Sequence, residues 1–278
     1  MNDAVAEMIS LKEAASRLDV HYMTAYRYVR SGRLPAHKVG DTWRVDPTDL
    51  GAVRPTSGRP PAKRGSPDRG EIRNRLENRM LAGDEAGAWS VMEAAGAAGA
   101  SPDDILTALL APVMGHIGKA WSSGDLSIAD EHRATAVAQR LVARLGPSFV
   151  RPGRRRGSVV LGSVAGDPHA LPSAILSDLL RGKMFEVIDL GPNTPAECFV
   201  ATAANVDRLH AIGVCVSDSA LLDSIPTFVR AVRAGVPGVP IYVGGGAIES
   251  EAGATALGSD GFAATTADVV ALFSTTSS

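Results

Sequence analysis

The chain is expected to be multidomain: a small helix-and-hairpin domain, then a helical bundle, then a doubly wound α/β parallel sheet. Two observations predict this. Basic, Pro- and Gly-rich breaks at 51–67 and 151–157 cut the 278 residues into three segments. The hydrophobic pattern also changes between them, from short mixed elements to long helical periodicity to alternating apolar runs and helices. A length of 278 residues accommodates two or three domains. No apolar run reaches the roughly 18 residues that cross a bilayer, so no membrane partner is expected. Met1 to Leu11 carries Asp3 and Glu7 where a signal peptide has an apolar core, which points to the cytoplasm. Cys198 and Cys215 fall in predicted buried elements with no zinc spacing, and are expected to be reduced thiols.

The first domain is assigned to 1–50. Ser10 and Glu13 form a capping-box pattern that starts a helix ending near Leu18. A short turn, Asp19-Val20, leads to a second helix over His21–Arg30, stopped by Ser31-Gly32. Leu34 to Val45 reads as a hairpin turning at Gly40-Asp41, and Asp46-Pro47 opens a last short helix. Helix, tight turn, basic helix and two-stranded wing form the winged helix-turn-helix layout. Residues 1–66 hold eleven basic side chains against seven acidic ones, and 67–278 hold seventeen against twenty-three. The basic excess sits where a phosphate-contacting surface is needed, with Thr24, Tyr26, Arg27, Arg30, Arg33, Lys38 and Arg44 as candidate contacts to a double-stranded DNA operator. Tyr26-Arg27, Gly32, Leu34-Pro35, Lys38, Gly40 and Trp43-Arg44 resemble the excisionase-type, MerR-related DNA-binding domain. Residues 51–67 are read as a flexible linker.

Four helices are expected over 68–150, from about Asp68 to Ala82, Asp84 to Ala98, Ser101 to Trp121 and Ser127 to Leu145. Ser101-Pro102-Asp103-Asp104 combines an N-cap, a first-turn proline and first-turn acids. Short connections make this a four-helix bundle. Over 157–278 strands are expected at 158–164, 185–190, 210–217, 240–244 and 260–264, with helices between them, in the flavodoxin-like order.

Open α/β sheets bind ligands at their strand carboxyl ends. Asp167-Pro168-His169 follows the first of these strands, Cys215-Val216-Ser217 ends the third, and Gly244-Gly245 follows the fourth. An imidazole there is placed to meet a ligand, and an aspartate two residues earlier is placed to take its other ring N–H. Asp-x-His followed by a serine element and Gly-Gly resembles the cobalamin-binding signature of methionine synthase and methylmalonyl-CoA mutase. That resemblance implies His169 as the lower axial cobalt ligand, Asp167 as its orienting partner, and Cys215, Ser217, Gly244 and Gly245 beside the cofactor's nucleotide tail. Two positions depart from the signature: its glycine is Pro172, and its first serine is Cys215.

In the bundle, Trp121 is followed after nine residues by Glu131-His132. Together with the DNA-binding pattern, this is similar to the CarH/LitR group of adenosylcobalamin-dependent light-responsive transcription regulators. The resemblance implies that Trp121, Glu131 and His132 face the upper ligand of adenosylcobalamin. It also implies a homo-oligomer (dimer or tetramer) whose assembly controls DNA binding, with no enzymatic turnover. Where members of that group carry a histidine after the tryptophan, this chain has Ser122, leaving His132, His116 or water as the upper ligand after illumination. Two other readings are a light-independent cobalamin sensor and a corrinoid carrier for methyl transfer.

Overall fold

In a computed structural model, residues 8–18, 20, 25–26, 28–29, 34–39, 42–51, 68–263 and 265–275 are described. They belong to two compact units, Met1–Gly65 and Ser66–Ser278. The expected turn at Gly40-Asp41 and most of the expected linker, 52–67, lie outside the described residues.

In the first unit, β1 (Ile9–Ser10) leads into α1 (Leu11–Arg17). The Ser10 side chain accepts the Glu13 N–H, as the capping pattern requires. The described positions 25–26 and 28–29 are helical. β2 (His37–Val39) and β3 (Thr42–Val45) are antiparallel, and Pro47–Gly51 forms a 3-10 turn. The sequence did not predict β1. It pairs antiparallel with β3 and completes a three-stranded sheet of order β1-β3-β2. Ile9, Leu11, Ala14, Ala15, Ala25, Tyr28, Leu34 and Val45 make the core of this unit.

The second unit starts with α2 (Arg69–Leu81) and α3 (Glu85–Ala97). The expected 101–121 helix is interrupted. A turn at Pro102–Asp104 passes into a π-helical stretch, Ile105–Leu110, before α4 (Ala111–Ser123). Pro112 has no N–H for the Ala108 carbonyl four residues back and collides with a regular turn there. That carbonyl instead accepts from Arg73 Nε at 2.7 Å, from the neighbouring α2. α5 (Ile128–Leu145) closes the bundle behind a reciprocal capping box between Ser127 and Asp130.

The sheet strands are β4 (Ser158–Ser163), β5 (Glu186–Asp189), β6 (Leu209–Cys215) and β7 (Ile241–Gly244), all parallel, in the order β5-β4-β6-β7. Helices α6 (Leu171–Gly182), α7 (Ala196–Ala203), α8 (Ile225–Gly235), α9 (Glu251–Ala256) and α10 (Thr266–Thr275) follow in turn. Alternation along the strands sorts the two faces. Val159 and Leu161 join α6, α10 and the bundle in one core, while Val160, Ile212, Val214 and Val243 pack under α7 and α8 in the other. The bundle docks on the first face through α5 and the following turn, whose Phe149 is buried against Gly182.

The expected fifth strand at 260–264 is not one: its described residues carry no strand pairing. Side chains do its work. Asp260 accepts the Ile241 N–H at 2.8 Å, and Ser259 Oγ accepts the Val243 N–H at 2.8 Å. The Asp260 N–H also donates to the Ile241 carbonyl at 2.8 Å, so two side chains and one backbone bond satisfy this edge of β7 without a ladder. Asp260 is also paired with Arg233 at 3.0 Å. Asp260→Ala leaves the buried Ile241 N–H without its partner and is expected to cost about 1–3 kcal/mol of stability. Urea unfolding of the variant against wild type measures it.

Candidate functional site at the carboxyl edge of the sheet

Because β5 and β6 lie on opposite sides of β4, the chain leaves β4 and β6 toward opposite faces, α6 on one and α8 on the other. This topological switch point is where doubly wound sheets open a crevice. Asp167 and His169 lie beyond β4, and Ser217 lies beyond β6, one on each side of that point.

Asp167 is fully buried, and three donors converge on its carboxylate. Oδ1 accepts the His169 backbone N–H at 3.0 Å and sits 2.6 Å from His169 Nδ1. Oδ2 accepts the Ser217 N–H at 2.6 Å. Since an ionised carboxylate only accepts, Nδ1 carries the proton and Nε2 presents its lone pair. The imidazole is 43% exposed, so that lone pair faces outward on a side chain anchored from within. The loop is locked further by Ser163 Oγ on the His169 carbonyl (2.7 Å) and by Asn193, whose N–H reaches the Asp167 carbonyl and whose Oδ1 takes the Gly166 N–H. Nothing in the sequence pattern pointed to Asn193. Its φ of 53° is the available signal, a left-handed position that asparagine tolerates. Pro172 creates no conflict. It falls in the first turn of α6, where a backbone N–H has no intrahelical partner to lose.

Across the crevice, Ser217 Oγ is buried and has no hydrogen-bond partner among the described residues. Gly244 and Gly246 each have open space where a Cβ would stand. Gly245 is different: its φ is 123°, and a Cβ would lie 2.4 Å from the Val216 carbonyl oxygen, so only glycine fits. An anchored imidazole, an unpartnered hydroxyl and an open glycine cradle fit a large ligand with a coordinating centre and a polar tail.

Cys215, expected beside that tail, has its thiol inside the protein: it is buried in β6 between Ser163 and Gly244. Burial, with the Asp189 and Asp167 carboxylates adding to it, pushes the thiol pKa up to about 12. Cys198, expected to be buried, is exposed on α7 because it precedes Phe199, which takes the inward position.

The bundle residues form a second group. Trp121 is 42% exposed on the last turn of α4. Glu131 ends the first turn of α5 and His132 begins the second, just across the connection. Glu131 accepts from Thr135 Oγ1 at 2.7 Å and lies 3.7 Å from His132 Nε2. Ser122 Oγ is turned onto its own helix, donating to the Lys119 carbonyl, and His116 Nδ1 is held by Glu77 at 2.9 Å. Among the described residues no hydrogen bond or ion pair links this group to His169. In the first unit, Lys38 and Arg44 are exposed and Tyr26 packs against the core. Thr24, Arg27, Arg30 and Arg33 lie outside the described residues.

Residues 72–145 and 157–275 each match a family described as B12 binding domain, and 8–52 match a helix-turn-helix domain. Together they support a cobalamin-binding protein that carries a helix-turn-helix. Similar proteins include a corrinoid protein of Desulfitobacterium hafniense, 28% identical over 56% of this chain and 74% of its own length. A trimethylamine corrinoid protein of Methanosarcina acetivorans is 25% identical over 67% of this chain and 88% of its own. The monomethylamine corrinoid protein structure of Methanosarcina barkeri superposes with a TM-score of 0.64 at 18% identity, covering 73% of this chain and 97% of that one; the bundle-plus-sheet fold is shared. Among the described residues no helix is long and apolar enough to cross a membrane.

The two thiols yield a direct check. At pH 8 the native protein is expected to react at Cys198 alone, with Cys215 reacting only after unfolding. Because the folded state raises the Cys215 pKa above its unfolded value of about 8.5, the associated stability is complete below that value and is lost as pH rises toward 12. Counting thiols with a chromogenic disulfide reagent, with and without denaturant, distinguishes one from two.

Proposed function

We propose that this protein is a cobalamin-binding transcription regulator in which His169 is the lower axial ligand of cobalt. The observation that carries the ligand assignment is the buried Asp167 carboxylate, which holds the His169 ring with Nε2 outward. Oriented imidazoles of this kind are better metal ligands than free ones, because tautomer and direction are set in advance. Ser217 offers its buried Oγ to the cofactor's tail, Gly244 keeps a side chain out of the tail's path, and Gly245 lets the turn pass close against Val216 beside it.

The adenosyl form of the cofactor would supply a light-labile cobalt–carbon bond, with His169 holding the metal. Trp121 presents an exposed indole at the open end of the α4–α5 hairpin, with Glu131 and His132 beside it, in the pattern that suits an upper-face cap. Residues 9–50 bind a double-stranded operator through Thr24, Tyr26, Arg27, Arg30, Arg33, Lys38 and Arg44. One small module binds DNA weakly, so a homo-oligomer engaging repeated half-sites supplies affinity. A change of packing in the bundle shifts that assembly, and no turnover is required. A second reading is favoured by the names of the relatives, which are corrinoid proteins tied to methylamines: a carrier in methyl transfer. The helix-turn-helix match at 8–52 favours the regulator.

His169→Ala is expected to change the absorption spectrum of bound cobalamin or abolish tight binding, and Asp167→Ala to weaken binding by about 10–100-fold. An unaltered spectrum and affinity in His169→Ala would sink the ligand assignment. Arg27→Ala is expected to weaken operator binding in a mobility-shift assay while cobalamin uptake stays intact. Repeating that assay in darkness and after green light separates a photoreceptor from a light-independent sensor, and DNA binding that never responds to cobalamin returns the protein to the carrier reading.

A further inference from the structure

The second basic break, Arg151-Pro152-Gly153-Arg154-Arg155-Arg156, is not linker-like in the structure. It lies in a unit with an overall acidic excess. Arg156 donates to the Ser274 carbonyl at 2.7 Å and lies over the Phe185 ring at 4.9 Å. Arg155 donates to the Arg151 carbonyl at 3.1 Å, and Arg208 reaches in from the start of β6 to the Arg155 carbonyl at 3.1 Å. These partners are neutral carbonyls, which fix the side chains without cancelling their charge. Among the described residues, none of Arg151, Arg154, Arg155, Arg156 and Arg208 has a carboxylate within ion-pair distance. Arg151 and Arg154 are exposed and engaged by no side-chain hydrogen bond among the described residues.

The cluster lies at the amino ends of β4 and β6, the opposite edge of the sheet from His169. Six residues of β4 separate the two edges by roughly 20 Å, so the corrinoid site has no use for these charges. Five arginines at one edge with no carboxylate paired to them among the described residues suit a polyanionic partner. Guanidinium groups suit phosphate in particular, because they present paired N–H donors to its oxygens.

We propose that this arginine cluster is a second nucleic-acid contact, gripping the phosphate backbone of the DNA that the helix-turn-helix reads. The proposal rests on the regulator reading above. The connection 52–67 is compatible with it, since 16 residues span at most roughly 55 Å. Contacts of this kind add affinity and salt sensitivity without sequence preference, so the cluster strengthens binding and the N-terminal unit selects the site.

The test uses the full chain and the operator fragment, with binding measured across a series of salt concentrations. Arg151→Ser combined with Arg154→Ser removes two charges and no hydrogen bond that holds the fold. The slope of log affinity against log salt is expected to become shallower by about 2, roughly 0.9 for each phosphate that is no longer neutralised, with cobalamin uptake unchanged. Arg230→Ser, an exposed arginine on α8, is expected to leave the slope unchanged. A double variant with wild-type slope and affinity overturns the proposal, and would do so equally if the cluster served an acidic protein partner. Should Arg27→Ala still lose operator binding in that case, the regulator reading stands without the cluster. A wild-type protein that binds no DNA overturns both.

Discussion

The Asp167 carboxylate holds the crevice together. It lies at the point where the chain leaves β4 for one face of the sheet and β6 for the other, and it accepts donors from both sides. Topology alone would let the two loops separate, since nothing in a parallel ladder extends beyond the strand ends. One buried carboxylate with three short hydrogen bonds closes that gap, sets the imidazole tautomer and fixes the ring's direction at once. Burying such a charge is tolerable only because its oxygens are satisfied. The same constraint explains the accessory bonds from Ser163 and Asn193, which keep the loop from swinging the carboxylate into water.

Around this anchor the packing is asymmetric. The bundle rests on the α6/α10 face and shares a continuous apolar core with it, so bundle and sheet make one compact unit. Glycines permit close approaches at this junction: Gly182 admits Phe149, and Gly146 lies where a Cβ would come within 3.3 Å of the buried Asp178 carboxylate. The far face, under α7 and α8, has a separate aliphatic core. The bundle therefore packs on one face of the sheet, and the other face is covered by α7 and α8.

Residues far from the crevice show how backbone groups are satisfied where regular structure fails. Pro112 removes a helical donor, and Arg73 supplies another. The edge of β7 lacks a neighbouring strand, and Asp260 and Ser259 take its N–H groups. In both cases a side chain distant in sequence replaces a missing backbone partner. Local patterns do not reveal such substitutions.

Periodicity and capping were enough to place α2, α3 and α5 and four strands with their helices, because those signals arise from contacts within a few residues; the π-helical Ile105–Leu110 inside the expected 101–121 helix was not legible. Asp167, His169 and the glycines of 244–246 were legible for a similar reason: spacing along the chain tracks the strand ends of a doubly wound sheet. Pairing between distant segments decided the rest. β1 forms only because Ile9 and Ser10 meet β3. In place of the fifth strand, Ser259 and Asp260 meet the β7 edge through their side chains and one backbone bond, and Cys215 is buried between the strands on either side of it. The orphaned Ser217 hydroxyl and the uncompensated arginine edge likewise emerge only when the strand ends are brought together. Burial and ion pairing are properties of a three-dimensional neighbourhood, and the order of residues along the chain does not specify that neighbourhood on its own.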